Sequence, residues 1–163
     1  MDFEARKDFS IKAITLAFNL SSLIPLALYL YSPEKPFTPL LVFFIMTATS
    51  ALTWLFSPVS YQITETKLKI LRPIKDIEID LGEISEIKKT DRASLKGTVR
   101  LFGSGGLYGF FGLFYKKGLG KFYAYCTNSS DLVLIKAGKI FLISPSHTET
   151  FISFLKGKKE LNS

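Results

Sequence analysis

Two long uncharged stretches open the chain, and a two-residue polar/apolar alternation fills most of the remainder. Ala13 to Pro33 carries no charged side chain, Glu34 and Lys35 interrupt, and Pro36 to Thr64 is again uncharged. A bilayer-crossing helix needs about 20 mostly apolar residues, and each stretch supplies them. The turn Ser32-Pro33-Glu34-Lys35-Pro36 between them predicts a transmembrane helical hairpin. A cleaved signal peptide is the competing expectation. The first stretch is too long for a usual signal core, no Ala-x-Ala-like site closes it, and a second span follows at once.

Within the first span, Leu16, Phe18, Leu20, Leu23, Ile24, Leu26, Leu28 and Leu30 outweigh Asn19, Ser21 and Ser22. Pro25 predicts a kink, and Tyr29 and Tyr31 suit the headgroup level. Pro39 suits the first turn of the second helix. Thr47-Ala48-Thr49-Ser50-Ala51 is a small-residue seam that lets helices approach closely, and Asn19 is placed to hydrogen-bond across it. Trp54 marks the exit interface and Pro58 ends the helix. Arg6, Lys7 and Lys12 precede the first span, Lys67, Lys69, Arg72 and Lys75 follow the second, and the turn has only Lys35. The positive-inside rule then predicts a two-span protein of the cell membrane with both termini cytoplasmic.

From Tyr61 the period becomes two, as in half-buried antiparallel strands. Strands are predicted at 61–64, 67–70 and 76–81, with another beginning at Ile84 and Ile87, then at 98–102, 121–126, 131–136 and 139–144. Residues 103–120 break the pattern with a glycine/aromatic run. The last element is a helix whose start reads as a capping box, Ser146-His147-Thr148-Glu149. Phe151, Phe154 and Leu155 form its apolar face, and Gly157 is its expected C-terminal cap.

Charge changes the picture most in the second half. The formal net charge of +7 resides in residues 65–163, which hold 17 Lys/Arg against 10 Asp/Glu. A basic domain tethered to a bilayer points to anionic lipid headgroups, then to acidic protein surfaces. Nucleic acid is not expected, because no basic helix or recognised motif supports it. One cysteine, Cys126, excludes an internal disulfide, and one histidine, His147, excludes a His-rich metal site. A Cys126–His147 dyad has no supporting context. Gly118-Leu119-Gly120-Lys121-Phe122 lacks the spacing and the Ser/Thr of a phosphate loop. Asp76, Glu78 and Asp80 read as a solvated strand face opposite Lys67 and Lys69. No enzyme, cofactor or metal is expected.

The run Arg100-Leu101-Phe102-Gly103-Ser104-Gly105-Gly106-Leu107-Tyr108-Gly109-Phe110-Phe111-Gly112 is the most distinctive stretch. With Tyr123-Ala124-Tyr125-Cys126-Thr127-Asn128 and Ile143-Ser144-Pro145, it resembles the bacterial pleckstrin-homology (PH) domain family over about residues 60–157. The resemblance implies an α+β fold. About seven antiparallel strands would form two roughly orthogonal sheets in a partly closed barrel, capped by the C-terminal helix. Residues 1–60 would be a lead and hairpin, and 61–163 a cytoplasmic PH-like domain. Fold does not carry function with it. The expectation is a non-enzymatic membrane-anchored binding or scaffold module with a protein partner or a second copy. The alternatives are an accessory subunit of a larger membrane complex, or a small lipid-acting enzyme. Lys67, Lys69 and Arg72 are candidate anionic-lipid contacts. Tyr108, Phe110, Phe111 and Phe114 are candidate partner or membrane contacts. Glycine bends with core aromatics could explain the same run.

Overall fold

A computed structural model describes residues 1–161. The first apolar stretch forms α1 (Phe9–Ser21) and α2 (Leu23–Tyr31), and the second forms α3 (Phe37–Phe56). Asp8 caps α1, its carboxylate accepting the Ile11 N–H at 3.0 Å. The helix breaks at Ser22 rather than at Pro25. A proline disturbs the carbonyl four residues earlier, here that of Ser21, where α1 ends. The Ser21 and Ser22 hydroxyls donate to the carbonyls of Phe18 and Asn19 at 2.8 and 2.7 Å. Phe9–Tyr31 and Phe37–Phe56 are each long and apolar enough to cross a membrane. The 20 residues of α3 reach about 30 Å. No residue of α3 is buried, and large apolar side chains such as Leu16, Leu28, Phe44 and Ile45 are exposed.

Two sheets follow. The first has the order β1-β2-β3-β4, from Asp2–Glu4, Ser60–Ile63, Lys67–Leu71 and Ile77–Asp80. The second contains β5 (Ile84–Thr90), β6 (Val99–Gly105), β7 (Phe110–Lys116), β8 (Gly120–Cys126), β9 (Leu132–Ala137) and β10 (Lys139–Ile143). Its order is β5-β9-β10-β8-β7-β6. All pairings are antiparallel except β8 with β10. The sheets do not pair with each other, so the barrel stays open.

Ten strands stand where the alternation marked eight and the resemblance implied about seven. β1 is too short to show a period, yet it pairs Phe3 with Tyr61, and the terminal ammonium donates to the Ile63 carbonyl at 2.8 Å. The glycine/aromatic run is the β6–β7 hairpin, its period masked because every second position is not polar. The main core lies between the sheets. Phe3, Tyr61, Leu68 and Ile70 from one meet Phe111, Val133, Ile135 and Ile143 from the other.

The closing helix α4 (Thr148–Leu161) adds Phe151 and Leu155 to that core. Its start corrects the expected capping box. His147, at φ +53°, precedes the helix and accepts its first hydrogen bond from Phe151. Ser146 lies outside and donates its N–H to Glu4, while Glu149 pairs with Lys89. Gly157 is not a C-terminal cap either, since the helix continues to Leu161.

Candidate functional site

The β6–β7 hairpin is shaped by its glycines. Gly103 and Gly112 face each other across the pair. A Cβ on Gly112 would lie 2.3 Å from the Phe102 carbonyl oxygen, and one on Gly103 would lie 2.0 Å from that of Phe111. Only glycine permits this approach. At the tip, the Gly106 N–H donates to the Gly109 carbonyl at 3.0 Å, and Tyr108 adopts φ +57°.

That conformation turns Tyr108 into the seam of the helical hairpin. Its N–H donates to Thr15 Oγ1 at 3.0 Å. Asn19 Nδ2 donates to the Tyr108 hydroxyl oxygen at 3.2 Å, and Ser50 Oγ lies 3.0 Å from that same oxygen. Ser50 also donates to Asn19 Oδ1 at 2.6 Å, which closes a three-residue polar triangle. Asn19 thus bonds across the small-residue seam, as its position suggested, but it also bonds a domain loop 89 residues away. Lys7 Nζ sits 5.3 Å from the Tyr108 ring centroid.

The triangle makes a prediction. Tyr108→Phe leaves the Asn19–Ser50 bond intact and should cost about 1 kcal/mol, the net worth of an ordinary hydrogen bond. Asn19→Leu strips a partner from both hydroxyls and should cost about 1–3 kcal/mol. Thermal melts of both variants check the order; a larger loss for Tyr108→Phe would contradict it.

The other aromatic candidates point elsewhere. Phe111 is 5% exposed in the main core and Phe114 is 8% exposed in a second apolar cluster. Phe110 is half-buried against that second cluster. An outward patch was expected because an alternating strand hides half its residues. Here both faces of the six-stranded sheet carry an apolar cluster, so Phe111 and Phe114 are core residues rather than surface contacts. Tyr115 on β7 is exposed, and the most exposed apolar side chains lie on β6, the sheet's outer strand: Val99 at 56%, Leu101 at 50% and Phe102 at 79%. Those residues had read simply as a strand; strand order alone reveals the edge.

The cationic candidates separate. Lys67 and Lys69 both pair with Glu78, at 2.6 and 2.8 Å. Hydrogen bonds from the two ammonium groups hold the Glu78 carboxyl well down, to about 2. Arg72 stands at the other end of β3, five residues from Lys67 and thus about 17 Å away. The Val59 N–H donates to Leu71, and the Ile74 N–H to Leu55 near the end of α3. The Arg72 guanidinium lies 5.8 Å from the Phe56 ring and 5.6 Å from that of Tyr125. It lines a groove of about 700 Å³ between α3 and the six-stranded sheet, with Leu52, Phe56, Phe102 and Tyr125. Arg100 borders that groove from β6, but it pairs in register with Phe114 and its guanidinium packs beside Gly105, on the sheet's other face.

Cys126 offers no nucleophile at neutral pH. Its thiol is buried against the Leu142 carbonyl at 3.3 Å, and burial pushes its pKa up to about 12.

Two packed sheets sharing one core, with a C-terminal helix sealing it, define a PH-like domain. A family model described as bacterial PH domain matches residues 59–159, more than half of the chain, and the chain belongs to that family. No curated protein and no solved structure matches it. The family assignment indicates a binding or scaffold module.

Proposed function

We propose that the chain is a non-enzymatic, membrane-anchored binding module whose hairpin crosses the cell membrane with both termini cytoplasmic. The observation that carries this reading is the attachment of domain to hairpin at three places. β1 pairs with β2 just before α1, the 72–74 turn bonds Leu55, and Tyr108 enters the Asn19–Ser50 seam. An antiparallel pair between β1 and β2 requires the N-terminus and the domain to share one side. The same attachment holds the Arg72 groove at the level where α3 ends, which is headgroup depth for a spanning helix of this length. Lys67 and Lys69, already paired with Glu78, are then secondary to Arg72. Residues 1–60 act as lead and anchor, and 61–163 as the binding domain, with β1 joining the two.

Two measurements test the reading. Reporter fusions after Lys35 and after Ser163 should report opposite compartments, with the Ser163 fusion cytoplasmic; a periplasmic-type signal there would overturn the topology. In nanodiscs mixing neutral and anionic phospholipid, the full-length protein should retain anionic lipid preferentially. Arg72→Glu should remove that preference, and Lys67→Glu should not. Equal retention by the Arg72 variant would show that the groove holds no headgroup.

A second reading has its own observation. β6 presents a free backbone edge beside Val99, Leu101 and Phe102, and exposed strand edges with apolar side chains are templates for another chain. Contact with a protein partner or a second copy fits there. An accessory-subunit role would use the same edge.

A further inference from the structure

The second face of the six-stranded sheet, away from the main core, carries a ligand-sized cavity. Phe114, Phe122, Leu132 and Leu142 line it, with Ala124 on β8 beneath. The 91–98 segment roofs it, with Leu95 half-buried against the same cluster. The volume is about 820 Å³, within the roughly 300–1,000 Å³ of small-molecule sites, which are mostly apolar with a few convergent polar groups.

The charged groups around it share one sign. Arg92, Lys96 and Arg100 line the cavity, and no carboxylate does. None of the three side chains forms an ion pair among the described residues. The neighbouring acid, Asp91, is turned to the Ser94 N–H and hydroxyl at 2.7 and 2.6 Å. An apolar chamber with three unpaired cations at its rim is complementary to an amphiphile with an alkyl chain and an anionic end. A neutral ligand would leave the cations unanswered, and a compact polar anion would leave the chamber unfilled.

We propose that this cavity binds a long-chain fatty acid, with the alkyl chain over Phe114, Phe122 and Leu142 and the carboxylate at Arg92 and Lys96. The inference rests on the cavity alone and holds whether or not the hairpin crosses a bilayer.

The test uses full-length protein in neutral phosphatidylcholine nanodiscs, titrated with dansyl-undecanoic acid and read by dansyl emission. Binding should saturate above the level of empty nanodiscs. Arg92→Glu with Lys96→Glu, both on exposed side chains, should weaken it by about tenfold or more, the scale of a lost charge-assisted contact. The corresponding neutral alcohol should bind the parent protein more weakly by a similar factor. Ala124→Leu, which intrudes on the floor, should abolish saturable binding; Ala124 is buried in the same cluster, so this variant should also melt lower, and the Arg92/Lys96 variant decides by itself. A signal matching empty nanodiscs would overturn the proposal, as would equal affinity in the parent and the Arg92/Lys96 variant. Failure here leaves the topology and groove experiments untouched.

Discussion

Full-length protein carrying Gly112→Ala is expected to melt far below its parent, whereas Gly118→Ala should lose much less. Both glycines have positive φ, +119° and +87°. At Gly118 nothing lies within 4 Å of an added Cβ, so the penalty is the backbone conformation alone, about 1–2 kcal/mol. At Gly112 the added carbon would also strike the Phe102 carbonyl oxygen at 2.3 Å and Gly103 Cα at 2.8 Å. Those atoms belong to the paired backbone and cannot rotate away. The strands must separate, and the β6–β7 register that aims Tyr108 at Asn19 goes with them. The combined cost should exceed about 3 kcal/mol, which is roughly 12 °C or more for a domain of this size. Thermal denaturation of the two variants in the same detergent decides; equal losses would mean the close approach of the strands is not a constraint.

Phe3→Ala should be as damaging as a deletion in the middle of the domain, although Phe3 lies far outside the family-matched region. Its ring is 4% exposed and meets Phe151 edge-on, with centroids 5.0 Å apart. Phe151 in turn lies 6.5 Å from the Tyr61 ring. Truncating a buried phenylalanine removes its burial and leaves a cavity, a loss of about 3–5 kcal/mol. Phe151→Ala should cost a similar amount, and the double variant should cost less than the sum because the two rings share a contact. Strict additivity would show that the contact between the two rings carries no coupling, and a melting temperature unchanged by Phe3→Ala would show that β1 is dispensable. The same result would remove the structural reason for placing the N-terminus on the domain's side.

Local pattern made several elements legible. The hairpin is visible because an uncharged run of that length has few soluble alternatives. β2, β3, β4, β9 and β10 are visible because alternating side chains face core and solvent by turns, or because turn residues bracket them. Helix α4 is visible through Phe151 and Leu155, although the caps its spacing predicts are not formed. Ser146 and Glu149 satisfy the capping motif by spacing, yet tertiary partners claim them: Glu4 takes the Ser146 N–H and Lys89 takes the Glu149 carboxylate. A cap is worth about 1 kcal/mol, so other contacts can override it.

The candidate sites were legible in composition and not in placement. Tyr108, Phe110, Phe111 and Phe114 are correctly seen as one unusual stretch, but alternation could not tell that both faces of the sheet carry an apolar cluster. Nor could it tell that Tyr108, at φ +57°, leaves the strands for the helical seam. Lys67, Lys69 and Arg72 are near neighbours in sequence, but a strand carries them about 17 Å apart end to end.

By itself, the sequence determined two apolar helices joined by a tight turn, a basic strand-rich domain and a closing helix. Each of these follows from side-chain chemistry repeated at a local period. The tertiary structure alone decided that Asp2–Glu4 is an edge strand, that Asn19, Ser50 and Tyr108 meet, and that Arg72 lies beside α3. The Asn19 contacts join residues 31 and 89 positions apart. No local period records such contacts, because they depend on strand order and on how the domain is fastened to its hairpin.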